Sequence, residues 1–349
     1  MDEAMIAARL QRKIAHDSDG AATLGDFAVL GDGHAGLTFG FTVRDAADGA
    51  AGAAPRKERR YVLKLAPPGI TRRGNTDVYR QAPLLRALHG AGLPVPDVPF
   101  ASATEDELGT PYIVMECLPG RSFLVWEPQD GFDLAPANID RIWRSAAAVL
   151  AKLHGFAWRT ALPNWEAPRA LADELAYWPP ILAKAQEEKW LRLGRRLGDA
   201  LSRHPPDPGP VGLFHGDYQP GNVMYDATPD GLTVTGVIDW ELSGIGAQAL
   251  DLGWLAMMAD RRCWHEGWQP HSTLGPEELL EEYVAAGGTR MRDLGWFQAL
   301  ACYRLGSISC LNVRLHRTGR REDPIWERFA PSIEVMFERG LELCAAPAR

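Results

Sequence analysis

The stretch Phe214-His215-Gly216-Asp217-Tyr218-Gln219-Pro220-Gly221-Asn222, followed by Val237-Ile238-Asp239-Trp240-Glu241, decides how this chain is read. Asp217 and Asn222 stand five positions apart, and Asp239 closes a β-like run 17 residues beyond Asn222. Two carboxylates and an amide in that spacing suit phosphoryl transfer. One Asp takes the acceptor's hydroxyl proton, while an Asn and an Asp offer hard oxygen ligands to Mg2+ on nucleotide phosphates. An unperturbed Asp titrates near ~4, so Asp217 is an ionised acceptor at neutral pH. A loose transition state leaves little charge on the nucleophile, so Asp217 has only to orient the hydroxyl.

The kinase catalytic loop H-R-D-x-x-x-x-N has the same Asp-to-Asn spacing, with Gly216 here in place of the Arg. The H-G-D-x-x-x-x-N loop together with the later I-D-W-E segment resembles the aminoglycoside phosphotransferase and choline kinase-like family, the small-molecule branch of the protein-kinase-like superfamily. That resemblance implies an α+β, bilobal protein-kinase-like fold, with a small antiparallel-sheet N-lobe and a large, mostly helical C-lobe. It places the nucleotide-binding lobe in residues 1–117, the catalytic and acceptor-binding lobe in residues 118–349, and a hinge at about 114–120. It implies ATP as donor, with GTP open, and Mg2+ held by Asn222 and Asp239. The γ-phosphate would pass to a hydroxyl of a small molecule. The Gly-Asp-Tyr and Asp-Trp-Glu-Leu-Ser wording leans toward relatives fused to acyl-CoA dehydrogenases, and so toward a hydroxyacyl-CoA instead of an aminoglycoside-like antibiotic.

The first part of the chain alternates β-like runs with glycine turns. The runs 27–30, 37–43 and 61–65 read as strands, with an Ala/Gly-rich, charged hairpin connection over residues 44–59. Gly31-Asp32-Gly33-His34-Ala35-Gly36 fits G-x-G-x-x-G, but leads into the β-formers Leu37 to Val43 and not into a helix. A strand–glycine loop–strand fits a flap over phosphates, with Gly31, Gly33, His34 and Gly36 as candidate contacts; an ordinary hairpin turn is the alternative. Lys64, inside Tyr61-Val62-Leu63-Lys64-Leu65, resembles the kinase strand lysine that neutralises the α- and β-phosphates. The family's acidic partner for it falls at Gln81, which carries no charge; Asp77 could substitute, and Pro83 would kink or start the helix. Residues 112–116 form a further strand, after which the resemblance puts backbone groups of Glu116, Cys117 and Leu118 beside an adenine.

Helical periodicity dominates beyond the hinge. Ile139, Ile142, Trp143, Ala146, Val149, Leu150 and Leu153 follow one helix face that stops near His154-Gly155. Residues 170–203 and 276–317 also read as mostly helical, and a short hairpin (223–225 with 232–238) carries the motif. Asp251, between two leucines, resembles the family's Asp that braces the catalytic loop, and His215 reads as a loop-fixing residue. The acceptor is expected near Tyr218, Glu241, Trp254, Arg261, Trp264 and Trp268, although tryptophans at helical spacing more often build core. Glu241 could equally serve the metal's water shell or brace its loop.

All twelve Trp lie at or after Trp126. A net charge of −8 argues against a nucleic-acid surface. Five scattered Cys without C-x-x-C spacing read as reduced thiols, and the charged opening residues Asp2, Glu3, Arg9, Arg12 and Lys13 contain no apolar signal region. No apolar run reaches the ~18 residues of a spanning helix, so the expectation is a cytoplasmic protein, away from membranes, monomeric or homodimeric. Two other functions compete. A catalytically silent, nucleotide-binding regulator would explain Gln81, and a protein kinase is disfavoured because no Ala-Pro-Glu segment follows Asp239.

Overall fold

A computed structural model of the chain describes residues 2–30, 37–45, 58–67, 69, 71–72, 74–228 and 231–346. The chain forms two units, Met1–Pro119 with Thr235–Leu242, and Gly120–Val234 with Ser243–Arg349. The fold class is α+β.

The first unit contains helix α1 (Glu3–Asp17), strands β1 (Ala22–Val29), β2 (Leu37–Asp45) and β3 (Glu58–Leu65), helix α2 (Gln81–Gly90), and strands β4 (Phe100–Ser102) and β5 (Tyr112–Glu116). The strands pair antiparallel in the order β1-β2-β3-β5-β4. Period-2 alternation sends Phe39, Phe41 and Val43 to one face beside Leu63, Leu65 and Val114. Onto them packs α1 through Ile6, Leu10 and Ile14, one residue per turn. This helix lay hidden in the sequence behind its charges. Asp2 caps its start by accepting from the amide of Ala4 at 3.2 Å. The β2–β3 hairpin is longer than its sequence suggested: Arg44 already pairs with Glu58. The rest of the connection, residues 46–57, lies outside the described residues.

The second unit holds β6 (Arg121–Ser122), α3 (Pro136–His154), α4 (Trp158–Ala161), α5 (Leu171–Tyr177), α6 (Pro179–Leu182) and α7 (Glu188–Arg203). Then come β7 (Val211–Phe214), β8 (Val223–Thr228), β9 (Gly231–Val237, whose last three residues belong to the first unit), β10 (Gly244–Ala247) and α8 (Ala249–Ala259). Helices α9 (Pro276–Ala285), α10 (Leu294–Arg317), α11 (Ile325–Phe329) and α12 (Pro331–Ala345) complete it. The predicted α3 is present with its stripe buried. The two longer helical regions are broken into segments, at Trp178 and residues 183–187, and at residues 286–293. Helix α10 packs against α8 and α12. The α8–α10 approach demands a glycine, since a Cβ on Gly253 would meet the backbone carbonyl carbon of Phe297 at 2.4 Å. Strands β7 and β10 pair antiparallel, Phe214 opposite Gly244, and β7 delivers the chain into the His215–Asn222 loop.

Among the described residues, no helix is long and apolar enough to cross a membrane. All five cysteines are free, with Cys263 and Cys302 Sγ atoms 3.7 Å apart.

Candidate functional site

The loop after β7 is held by its backbone. Gly216 has a φ of +90°, a conformation costly for any residue with a Cβ. The amides of His215 and Gly216 both donate to the Asp251 carboxylate at 2.7 Å. Asp251 is fully buried, and His154 Nε2 lies 3.2 Å from its Oδ2, the oxygen that also accepts from the His215 amide. Donation from Nε2 leaves His154 Nδ1 to accept from the Tyr283 hydroxyl at 2.9 Å. Burial alone pushes the Asp251 carboxyl up; the hydrogen bond and charge of His154, with the charge and amide of His215, reverse this and hold it below the usual carboxylate range. Asp251 thus braces the loop, as its sequence suggested. His215 is buried as well, and its Nδ1 accepts from the Asp217 amide at 3.3 Å.

Asp217 itself is half-buried and gripped within the loop. Asn222 Nδ2 donates to the Asp217 carbonyl at 2.8 Å and to its carboxylate at 3.0 Å, while Gln219 Nε2 reaches the other carboxylate oxygen at 3.1 Å. Both atoms facing Asn222 Nδ2 are acceptors, so the amide's NH2 end must point at Asp217. Its Oδ1 is turned the other way, available as a hard donor. Gln219 went unnoticed in the sequence, although it sits two residues from Asp217.

A second buried group grips the same turn. Arg304, on α10 and only 4% exposed, donates from Nη2 to the carbonyl of Gly216 at 2.9 Å. Its Nε lies 3.3 Å from Glu174 Oε1, and its guanidinium stacks over the rings of Trp178 and Trp254 at 5.3 and 5.0 Å. Glu174, on α5 and 2% exposed, also accepts from Trp178 Nε1 and Arg169 Nη1, each at 3.1 Å. Burial pushes the Glu174 carboxyl up, but Arg304 and then Arg169 bring it below its ordinary value. Neither Arg304 nor Glu174 was singled out by motif. The available signal was an arginine inside the apolar run Ala299 to Gly306, where a charge must find a partner.

In the first unit, Lys64 meets Asp239 and Glu241. Its Nζ lies 2.8 Å from Asp239 Oδ1 and 3.7 Å from Glu241 Oε2. Burial pulls the ammonium's pKa down, and the two carboxylates outweigh it and leave it raised. The carboxylate segment is anchored on either side. Val237 N donates to Pro94 O at 2.8 Å, Trp240 is buried with its Nε1 donating to Val237 O at 2.9 Å, and Arg80 Nη1 donates to Glu241 O at 3.0 Å. Asp239 stands between these anchors with φ +64°. The lysine's acidic partners therefore come from the Ile238–Glu241 segment and not from α2. Gln81 opens α2 and is buried, Pro83 sits in the first helical turn where its missing N–H costs nothing, and Asp77 caps the Val78–Arg80 turn through Arg80 N.

Gly31, Gly33, His34 and Gly36 lie outside the described residues. In the hinge segment, the Glu116 amide donates to Asp97 O at 2.9 Å and the Cys117 amide to Arg60 O at 3.0 Å. Of these three expected adenine contacts, only Leu118 keeps an amide without a partner among the described residues. The expected aromatic acceptor wall is corrected by burial. Tyr218 is wholly buried with its hydroxyl donating to Ala146 O at 2.7 Å, and Trp254, Trp264 and Trp268 are each under 5% exposed. Trp264 meets Trp126 edge-on and Trp268 stacks on it, Trp254 packs on Arg304, and only Arg261 of that group is exposed, its Nε donating to Gln269 Oε1 at 3.0 Å. Aromatics carry the largest apolar area, so the core claims them first.

With this geometry in hand, comparison with known proteins is decisive at residues 52–300, which match the phosphotransferase enzyme family. The chain belongs to that family. The family match spans Lys64, the Asp217–Asn222 loop, Asp239 and Asp251. Among curated proteins, the chain is 30% identical to probable acyl-CoA dehydrogenase IBR3 of Arabidopsis thaliana, over 72% of this chain and 32% of that protein. It is 26% identical to acyl-CoA dehydrogenase family member 11 of Gallus gallus, over 81% of this chain and 37% of the other. The chain thus spans about a third of the length of these relatives. Among solved structures, a putative aminoglycoside phosphotransferase from Ralstonia eutropha JMP134 superposes with a TM-score of 0.72 at 19% identity, covering 98% of each chain. The shared fold is the protein-kinase-like one.

Proposed function

We propose that this phosphotransferase-family chain is a small-molecule kinase that moves the γ-phosphate of ATP, or GTP, to an alcohol. The observation that carries the reading is the Asp217 carboxylate clasped by Asn222 five residues on, in a loop whose backbone is immobilised by Asp251 and Arg304. In this reading Asp217 accepts the hydrogen bond of the acceptor hydroxyl and orients its oxygen toward the γ-phosphorus. A bond forms from that oxygen to phosphorus as the bond from phosphorus to the β–γ bridging oxygen breaks, and the hydroxyl proton passes to Asp217 and then to water. Lys64 neutralises charge on the remaining phosphates, exchanging its contact with Asp239 for theirs. Asn222 Oδ1 and the Asp239 carboxylate are hard oxygen donors of the kind Mg2+ takes, and the ion would supply charge neutralisation on the phosphate oxygens.

For the acceptor, the likeness to acyl-CoA dehydrogenase family proteins supports a hydroxyacyl-CoA over an aminoglycoside. A solved neighbour is a complex with GDP and kanamycin, with a TM-score of 0.62 and 16% identity, which supports nucleotide binding and keeps the antibiotic class in the test. The experiment is phosphate incorporation from labelled ATP and GTP, with magnesium, into hydroxyacyl-CoA, aminoglycoside and general metabolite pools, for wild type and Asp217→Ala. Incorporation by wild type alone supports the proposal. Tight nucleotide binding with no product from any pool would instead favour a silent nucleotide-binding regulator, a reading motivated by the uncharged Gln81.

A further inference from the structure

The second unit carries a cavity that the proposed chemistry does not use. It has a volume of about 290 Å³ and opens between α5, α6, α7 and α10. Leu175, Pro179, Leu182 and Leu191 make its walls. Tyr303 lines it from α10 and is 2% exposed; its hydroxyl has no hydrogen-bond partner among the described residues. The hydroxyl lies against Gly198, where an added Cβ would meet Tyr303 Oη at 2.9 Å, so the missing side chain there leaves the phenol its room. Burial pushes the Tyr303 phenol up to about 12, which keeps it a neutral donor at physiological pH. Arg195 and Asp199 stand exposed on α7 at the rim, one turn apart and opposite in sign. Ser202 completes the lining, and the charge of Asp199 adds to the upward push on the Tyr303 phenol.

We propose that this cavity binds a small, uncharged, largely apolar molecule bearing one hydrogen-bond-accepting oxygen, a ketone, ester or alcohol about one ring in size. Apolar walls broken by a few placed polar groups, here the Tyr303 phenol with Ser202, Arg195 and Asp199, are the usual makeup of a small-molecule site, and a phenol hydroxyl so little exposed ordinarily finds an acceptor.

The test uses the full chain and binding as its readout, so it stands apart from any outcome for phosphotransfer. The probes are 4-fluoroacetophenone and its oxygen-free analogue 1-ethyl-4-fluorobenzene, each titrated while the fluorine NMR linewidth is followed. Wild type should bind the ketone roughly 2–10-fold more tightly than the hydrocarbon, as one net hydrogen bond predicts. Tyr303→Phe should erase that preference while keeping the ring. Ala183→Trp, an exposed position lining the cavity and safe for folding, should weaken both probes at least about tenfold by filling the space, since packed volume excludes a ligand. No broadening with wild type at millimolar probe, broadening untouched by Ala183→Trp, or a ketone preference that survives in Tyr303→Phe would each overturn the proposal.

Discussion

Asp217 sits in a loop fixed from behind by buried groups that hold its backbone, whereas Asp239 is held by the charge of Lys64 on a segment pinned at its flanks. In the loop, the Asp251 carboxylate and the Arg304 guanidinium spend their hydrogen bonds on amides and a carbonyl, so the turn keeps its shape whatever Asp217 carries. In the first unit the side chains neutralise one another: Lys64 against Asp239 and Glu241. A polyphosphate arriving there has to exchange partners with an existing ion pair. The loop is preorganised, while the lysine group is pre-neutralised.

The largest expected effect is chemical. Asp217→Asn should lower turnover by roughly 10²–10⁴-fold, the usual reach of acid–base catalysis, with nucleotide affinity by calorimetry unchanged. Loss of nucleotide binding with that variant would break the contrast, because it would tie Asp217 to the phosphates. Arg304→Met should cost about 3 kcal/mol in urea denaturation, the low end for removing one partner of a buried ion pair because Glu174 keeps Arg169 and Trp178, and Arg304→Lys should recover part of it. Lys64→Met should leave stability nearly intact and weaken nucleotide binding by about 1.5–3 kcal/mol, as for a charged hydrogen-bond donor. If it unfolds the protein as severely as Arg304→Met, the distinction between the two neighbourhoods fails.

The smallest effect separates them by pH. Asp251 and Glu174 both have folded-state pKa values below their ordinary ones, so each contributes stability that is fully present above the unfolded carboxylate range, near ~4. That contribution is lost as pH falls through the folded values. Thermal midpoints should therefore drop between about pH 5 and pH 3, and Asp251→Asn should show a shallower decline on a lower baseline. A variant curve parallel to wild type would remove Asp251 from the account.

The parts legible in the sequence are those whose residues lie close together along it. Asp217 and Asn222 touch across five positions, and the strand alternation around Phe39 to Val43 marks a buried face directly. Arg304 reaches Gly216 across 88 residues from inside a helix buried on most sides, where no periodic pattern marks a functional position. The stripe of α1 is only three residues wide in a charged segment. The tryptophans are legible through composition alone: core is the favoured reading at helical spacing over an acceptor wall, and apolar area draws Trp254, Trp264 and Trp268 inward.

The left-handed backbone at Asp239 governs how its charge can be studied. At φ +64°, Asp and Asn are the non-glycine residues that tolerate the conformation best, while alanine meets a steric cost of roughly 1–2 kcal/mol. Alanine scanning at this position would therefore mix two losses, electrostatic and conformational, in a single reading. Asparagine removes the negative charge and keeps the twist, which makes it the clean reporter of what the carboxylate contributes.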